Sequence, residues 1–246
     1  MPKNLLTGFH AVEQALEAGR PIERVVIARG RGGTRLQKLI ESCREHGVPL
    51  RFEPREQLDH LAGSEQHQGV VALAGARGYV ALEELLAASR AGDQAGLLLV
   101  LDRIEDPRNL GAIIRTACCA GAHGVILPER RAAHLSEAVA RASAGAVEHL
   151  PVARVTNLAR ALEELKKAEF WIVGLDERAK TRFGEVNYRE ASALVLGSEG
   201  QGLHELVRKK CDFLVSIPTF GPITSLNVAV AAGIVLYEAV RQRRSR

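Results

Sequence analysis

Five short apolar runs, alternating with loops and helical patterns, constrain this chain more than any other feature. They are Leu97–Leu101, Gly124–Leu127, Phe170–Leu175, Ala193–Leu196 and Phe213–Ile217. Strands that are apolar on both faces and alternate with helices belong to an α/β architecture, a parallel sheet covered on both sides. In such sheets ligands bind outside the carboxyl ends of the strands. Three loops fall at that position: Asp102–Asn109, the G-S-E-G-Q-G stretch from Gly197 to Gly202, and Pro218–Ser225. One shared pocket among them is expected.

The last loop is the most informative. In I-P-T-F-G-P-I-T-S-L-N (217–227), Pro218, Gly221 and Pro222 forbid regular structure. From Ser225 to about Arg243, small and apolar residues then recur at helical spacing for roughly five turns. Ser225 and Asn227 are thereby delivered to a helix N-terminus, where free N–H groups and the helix dipole suit phosphate or carboxylate. For an isolated S-x-N the plainer reading is a cap. The similar glycine loop thirty residues earlier weighs towards a site.

Ahead of this lies a different pattern. Phe9–Ala18 reads as a helix, Val25–Ala28 as a strand, and Thr34 as the cap of a helix running to His46. Val48–Phe52 and Val70–Ala74 read as strands, with a helical turn after Pro54 between them. Residues 1–75 therefore form a small α/β unit, 76–95 a linker containing the helix Leu82–Ser89, and 96–246 a second domain.

With 46% apolar and 25% charged residues among 246, the chain has the composition of a globular protein. No apolar run reaches membrane-spanning length and no signal-like segment opens the chain, so a cytoplasmic location without a membrane partner is expected. Cys43, Cys118, Cys119 and Cys211 form no C-x-x-C pair and read as buried thiols, and the scattered histidines give no metal site. The net charge of +4 is modest, but its distribution is uneven. Arg29, Arg31, Arg35 and Lys38 lie in an acid-free window and are candidate phosphate contacts, with a solvated loop as the plainer alternative. Arg241, Arg243, Arg244 and Arg246 crowd the C-terminus, where a fraying tail is the simplest reading.

Several chemistries are excluded. The chain has no G-x-G-x-x-G after a strand, no G-x-x-x-x-G-K-[ST] and no G-x-S-x-G, which argues against dinucleotide binding, P-loop NTPases and serine hydrolases. A transferase using an adenosine-type cofactor, or a binding module with a degenerate site, remains.

Three segments carry a family resemblance: L-D-R-I-E-D-P-R-N-L-G-A-I-I-R-T-A (101–117), L-V-L-G-S-E-G-Q-G-L (194–203) and I-P-T-F-G-P-I-T-S-L-N-V-A-V-A-A-G (217–233). In order and content they resemble the three motifs of the SpoU (TrmH) family of SPOUT methyltransferases. The stretch from G-F-H-A-V (8–12) to H-Q-G (67–69) is similar to the small RNA-binding domain of RlmB-type members, which are 23S ribosomal RNA (guanosine-2′-O)-methyltransferases. The resemblance implies a trefoil knot in the second domain, a homodimer with composite active sites, and S-adenosylmethionine as cofactor. It implies catalytic roles for Asn109, Arg115, Glu199, Ser225 and Asn227, and cofactor contacts at Leu196, Gly197, Gly202, Ile217, Pro218 and Leu226.

Plainer readings stand beside these. Asn109 would cap a helix starting at Leu110, Arg115 would snorkel from that helix, and Glu199 would bind the loop's N–H groups. A transfer RNA 2′-O-methyltransferase and a non-catalytic RNA-binding or assembly factor are the rival functions. Departures from the family pattern are Arg103, in place of a small residue, and the stiffer third loop with Phe220 and Pro222.

Overall fold

The computed structural model describes residues 5–75, 78–223 and 225–244. Residues 76 and 77 of the expected linker, Thr224 of the third loop and Arg246 of the basic C-terminus lie outside them. Contacts divide the chain into two compact units, Met1–Gly78 with Leu135–His149, and Tyr79–His134 with Leu150–Arg246.

The first unit carries a four-stranded sheet ordered β1-β4-β2-β3, built from β1 (Leu5–Thr7), β2 (Ile22–Ala28), β3 (Leu50–Glu53) and β4 (Val70–Ala74). On one face α1 (Phe9–Glu17) and α2 (Thr34–Glu45) bury Phe9, Val12, Leu16, Leu36 and Leu39 against Val25, Ile27, Val70 and Ala72. On the other, Leu58 of α3 (Arg55–Ala62) packs on Leu5, Val26 and Val71. Alternate residues of β2 therefore serve opposite faces, as the period of two requires. Gly33, not Thr34, occupies the cap position of α2, with φ of 118°. Strand β1 escaped the sequence reading because three residues show no alternation to detect.

Two further differences concern boundaries. The segment Leu135–His149, with α6 (Glu137–Ala142), belongs to this first unit. Thr7 Oγ1 donates to Glu137 at 2.9 Å, and the buried pair Arg20–Glu148 closes at 2.9 Å. Conversely, α4 (Leu82–Ala88), placed by sequence in a linker, buries Leu82 and Leu85 in the core of the second unit.

That second unit is a seven-stranded sheet ordered β7-β6-β5-β10-β8-β11-β9. Its strands are β5 (Leu97–Leu101), β6 (Gly124–Pro128), β7 (Val152–Val155), β8 (Trp171–Leu175), β9 (Thr181–Arg182), β10 (Ser192–Leu196) and β11 (Phe213–Ser216). Every pairing is parallel. All five residues of β5 are buried, as a strand covered on both faces demands. One cover consists of α4, α7 (Leu158–Lys167) and α8 (Glu205–Lys210). The other consists of α5 (Pro107–Cys119) and α9 (Val228–Arg244), which pack on each other. The strand order accommodates the expected knot: β10 inserts between β5 and the earlier-laid β8.

Arg241 and Arg243 do not belong to a frayed tail. Arg243 donates to the carbonyls of Tyr188, Ala95, Gly96 and Glu190, and Arg241 pairs with Glu238. Nor are all the thiols buried. Cys43 is, but Cys119 is exposed.

Candidate active site

The three expected loops meet at the carboxyl ends of β5, β10, β8 and β11. There the second unit encloses a cavity of about 740 Å³, within the range of small-molecule sites. Its walls include Leu196, Gly197, Glu199, Gly202, Ile217, Ser225, Leu226 and Asn227. Pro218 and Arg115 do not line it, and neither does any residue of the Asp102–Asn109 loop, Asn109 included, so the single pocket expected among three loops is walled by two of them together with residues 175–178 after β8.

The loop after β10 closes on itself. Gly202 N donates to Ser198 O at 2.9 Å, and Gly200 and Gly202 have φ of 83° and 64°. A Cβ on Gly197 would lie 2.2–2.4 Å from the backbone of Gly202 and Leu203. Only glycine permits that approach.

A cluster of three side chains joins the loops. Asn227 Nδ2 donates to Glu199 Oε1 at 2.7 Å and to Asn109 Oδ1 at 2.9 Å; Asn109 Nδ2 also donates to Glu199 Oε1 at 3.2 Å. The backbone N–H of Val228 adds a third bond to the same Glu199 oxygen, at 3.2 Å. Carboxylate Oε1 is thus saturated at the positive end of α9, while Oε2 accepts no hydrogen bond from the described residues.

The helix starts differ from expectation. Helix α9 begins at Val228, and Asn227 caps it by accepting from Ala229 N at 2.9 Å, so Ser225 stands ahead of the helix rather than at its terminus. Helix α5 begins at Pro107 with Asp106 as its cap, so Asn109 sits inside the first turn and its side chain is free for the cluster. Arg115 is exposed on α5 and makes no hydrogen bond or ion pair with the described residues.

Sequence reading missed Asp176 and Arg208, which face each other across the cavity wall at 2.5 Å. Burial opposes the Asp176 charge, but the Arg208 hydrogen bond, the Arg178 backbone N–H and both guanidinium charges hold its carboxyl below the ordinary range. The signal was available: like Asp102, Asp176 directly follows an apolar strand at its carboxyl end. In the first unit, Arg35 is committed to Glu13 through two hydrogen bonds, and Arg31 lies over the Phe9 ring at 5.4 Å. Arg29 donates to Phe52 O, and Lys38 is exposed.

Comparison with known proteins decides the family. The model of the SpoU rRNA methylase family matches residues 96–237, and that of RNA 2′-O ribose methyltransferase substrate binding matches residues 5–80. The chain belongs to the SpoU rRNA methylase family. It is 44% identical over 236 residues to YacO of Bacillus subtilis, assigned to the TrmH family of tRNA/rRNA methyltransferases, covering 96% of this chain and 94% of that one. The SpoU methyltransferase AviRb of Streptomyces viridochromogenes, solved with AdoMet, superposes with a TM-score of 0.84 at 28% identity, covering 98% of this chain and 91% of that one. An AdoMet-bound rRNA methyltransferase from Sinorhizobium meliloti gives a TM-score of 0.81 at 26% identity, covering 98% and 88%. This SpoU-family chain is accordingly an S-adenosylmethionine-dependent RNA ribose 2′-O-methyltransferase. Among its described residues no group of His, Cys, Asp and Glu is placed to hold a metal ion, and no helix is long and apolar enough to cross a membrane.

Proposed function

We propose that the chain methylates the ribose 2′-hydroxyl of a specific guanosine in 23S ribosomal RNA, acting in the cytoplasm as a homodimer. The observation that carries the site assignment is Glu199, clamped through one oxygen between Asn109, Asn227 and the α9 terminus, with its other oxygen open. The ribosomal target is supported by the likeness to the Sinorhizobium rRNA methyltransferase across 98% of this chain, its first unit included.

S-adenosylmethionine supplies an electrophilic sulfonium methyl. The cavity suits it: apolar Leu175, Leu196, Val215 and Leu226 face an adenosine-sized space, and peptide groups of the closed glycine loop provide polar contacts. Leu196, Gly197, Gly202, Ile217 and Leu226 would hold it, with Pro218 stiffening the loop behind Ile217. The protein must align the ribose hydroxyl and help it lose a proton. Glu199 Oε2 is placed to accept from that hydroxyl, and Asn109 and Asn227 orient the carboxylate. Ser225, exposed beside the cavity, offers a hydroxyl or phosphate contact.

A guanidinium offers five N–H donors and no acceptor, so the role of Arg115 is a phosphate anchor rather than a base. It reaches the site from a second copy. Helix α9, packed on α5, exposes Val230 and Tyr237, and the preceding loop exposes Phe220 and Ile223; covering this apolar surface with another protomer presents that protomer's Arg115. Mixing Arg115→Ala and Glu199→Ala variants, each strongly impaired alone, then restores activity. No recovery would mean that each chain completes its own site.

Arg29, Arg31 and Lys38 contact RNA phosphates, and each lost contact flattens the log–log salt dependence of binding by about 0.7–0.9. Arg35, neutralised by Glu13, contributes less. The deciding experiment maps ribose methylation on purified 23S ribosomal RNA and on bulk transfer RNA. Methyl incorporation confined to transfer RNA would replace the ribosomal assignment with the alternative carried in the name of YacO's family.

A further inference from the structure

Residue 103 belongs to none of the roles above, yet its geometry is unusual. Two residues past the end of β5 the backbone of Arg103 adopts φ of 62°, a left-handed conformation that non-glycine residues rarely adopt without strain. The turn aims the side chain away from its own strand and across to the loop after β10. There Nη1 donates to Gln201 Oε1 at 2.8 Å and Nη2 donates to Gly202 O at 3.2 Å. Its neighbour acts in parallel: Asp102, 4% exposed, accepts from His204 N at 2.6 Å, and lies 3.6 Å from Arg103 Nε.

The peptide from Gly202 to Leu203 is therefore fixed from several directions. Gly197 lies against it, Arg103 holds its carbonyl, and Asp102 holds the N–H one residue further on. Gln201 and Gly202 are also walls of the cofactor cavity. The geometry points to Arg103 as a positioning residue that sets the shape of the 197–203 loop, and through it the affinity for the adenosine-bearing cofactor. Two donors on one planar group do this together. A lysine carries all its donors on one nitrogen and lacks the planar fork that spans two separate acceptors.

Other surroundings agree. Arg103 also borders a smaller hollow with Glu105, Arg131, Ser198, Glu199 and Gln201. With two carboxylates beside two guanidiniums, that hollow has no excess of positive charge to select a phosphate. Arg131 makes no ion pair with the described residues, whereas Arg103 is committed to the loop.

This inference rests on the assignment of the large cavity to S-adenosylmethionine. Calorimetry with the full-length protein, S-adenosylmethionine and S-adenosylhomocysteine separates the two. If the wild type binds neither, the cavity assignment fails. If the wild type binds and Arg103→Ala binds equally well, the positioning role fails. The expected result is a 10- to 50-fold weaker cofactor Kd for both Arg103→Ala and Arg103→Lys, with the KM for RNA unchanged. Gln201→Ala has a smaller effect, and adding it to Arg103→Ala costs less than the sum of the two. A purely structural residue would lower the melting temperature without that selective loss. An RNA contact would raise the KM for RNA and flatten its salt dependence, leaving cofactor Kd intact. Either pattern overturns the proposal.

Discussion

The loops after β10 and β11 occupy corresponding places in successive strand–loop–helix units, yet they are built in opposite ways. The first is folded onto itself: Gly202 bonds back to Ser198, Asp102 and Arg103 brace it from outside, and Glu199 ties it to the start of α9. The second has no such bracing. Residues 219–223 and 225–227 are exposed, Phe220 at 94% and Ile223 at 74%, and none of residues 218–223, 225 and 226 hydrogen-bonds to the described residues. Its stiffness is covalent, from Pro218 and Pro222. Both loops line the cavity, the second through Ile217, Thr219, Ser225 and Leu226, yet the wall after β10 is prebuilt and the wall after β11 is left open. That is the lesson of the pair.

One glycine in each loop gives the sharpest contrast. Gly197→Ala would place a Cβ within 2.2–2.4 Å of backbone atoms that cannot move without opening the loop. Cofactor binding should fall by about 100-fold or more, near 2.7 kcal/mol. Gly221→Ala meets open space and should leave calorimetric Kd unchanged. Equal effects at both positions would erase the difference between the loops.

Glu199 spans that difference, since it binds the first loop to the helix that follows the second. Glu199→Ala should reduce the single-turnover methylation rate by about 10²-fold, the scale of misplaced reacting groups. Cofactor Kd should change far less. A matching loss of cofactor affinity would make Glu199 a structural tie alone.

Phe220→Ala tests the open loop directly. A side chain 94% exposed contributes little to folding, so stability should stay within about 0.5 kcal/mol, as is usual for surface changes, and the melting temperature within about 1–2 °C. Turnover on RNA, or the dimer dissociation constant in sedimentation, should worsen. If neither moves, the exposed aromatic meets nothing.

How much of this was legible beforehand differs between the same regions. The strands of the second unit could be read because burial on both faces gives uninterrupted apolar runs such as Leu97–Leu101. The loops between them could be read from Gly, Pro and Asp content. Helix starts could not be placed so well. Asp106 with Pro107 sets the start of α5 earlier than Asn109, and Asn227 rather than Ser225 caps α9; several cap-forming residues in a row offer the same local signal. The meeting of Asn109, Glu199 and Asn227 came from motif resemblance, since separations of 28 to 118 residues leave no trace in periodicity. Short β1 and β9, and the membership of Leu135–His149 in the first unit, depend on tertiary contacts that no local pattern encodes.

The smallest predicted effect concerns the wall opposite both loops. Asp176 has its carboxyl held below the ordinary range, chiefly because Arg208 and Arg178 outweigh burial. A carboxyl whose folded pKa lies below its unfolded value, near 3.9, stabilises the fold fully above that value. The contribution is lost as pH falls through the folded pKa. Arg208→Ala removes the hydrogen bond and one charge, leaving burial to push the carboxyl upward. The wild type should therefore melt higher than the variant at neutral pH, and the gap should hold from pH 8 down to about 5. Below about 4 it should narrow, as the wild-type carboxyl takes up its proton and the ion pair disappears. The pair is partly solvated, so at most about 1 kcal/mol is expected, a shift of roughly 2–4 °C for a chain of this size. Thermal unfolding of both proteins from pH 3 to 8 measures it, with Phe220→Ala as the control that shows no gap at any pH. A wild-type–Arg208→Ala gap that stays constant down to pH 3 would show that the ion pair does not hold this wall of the cavity.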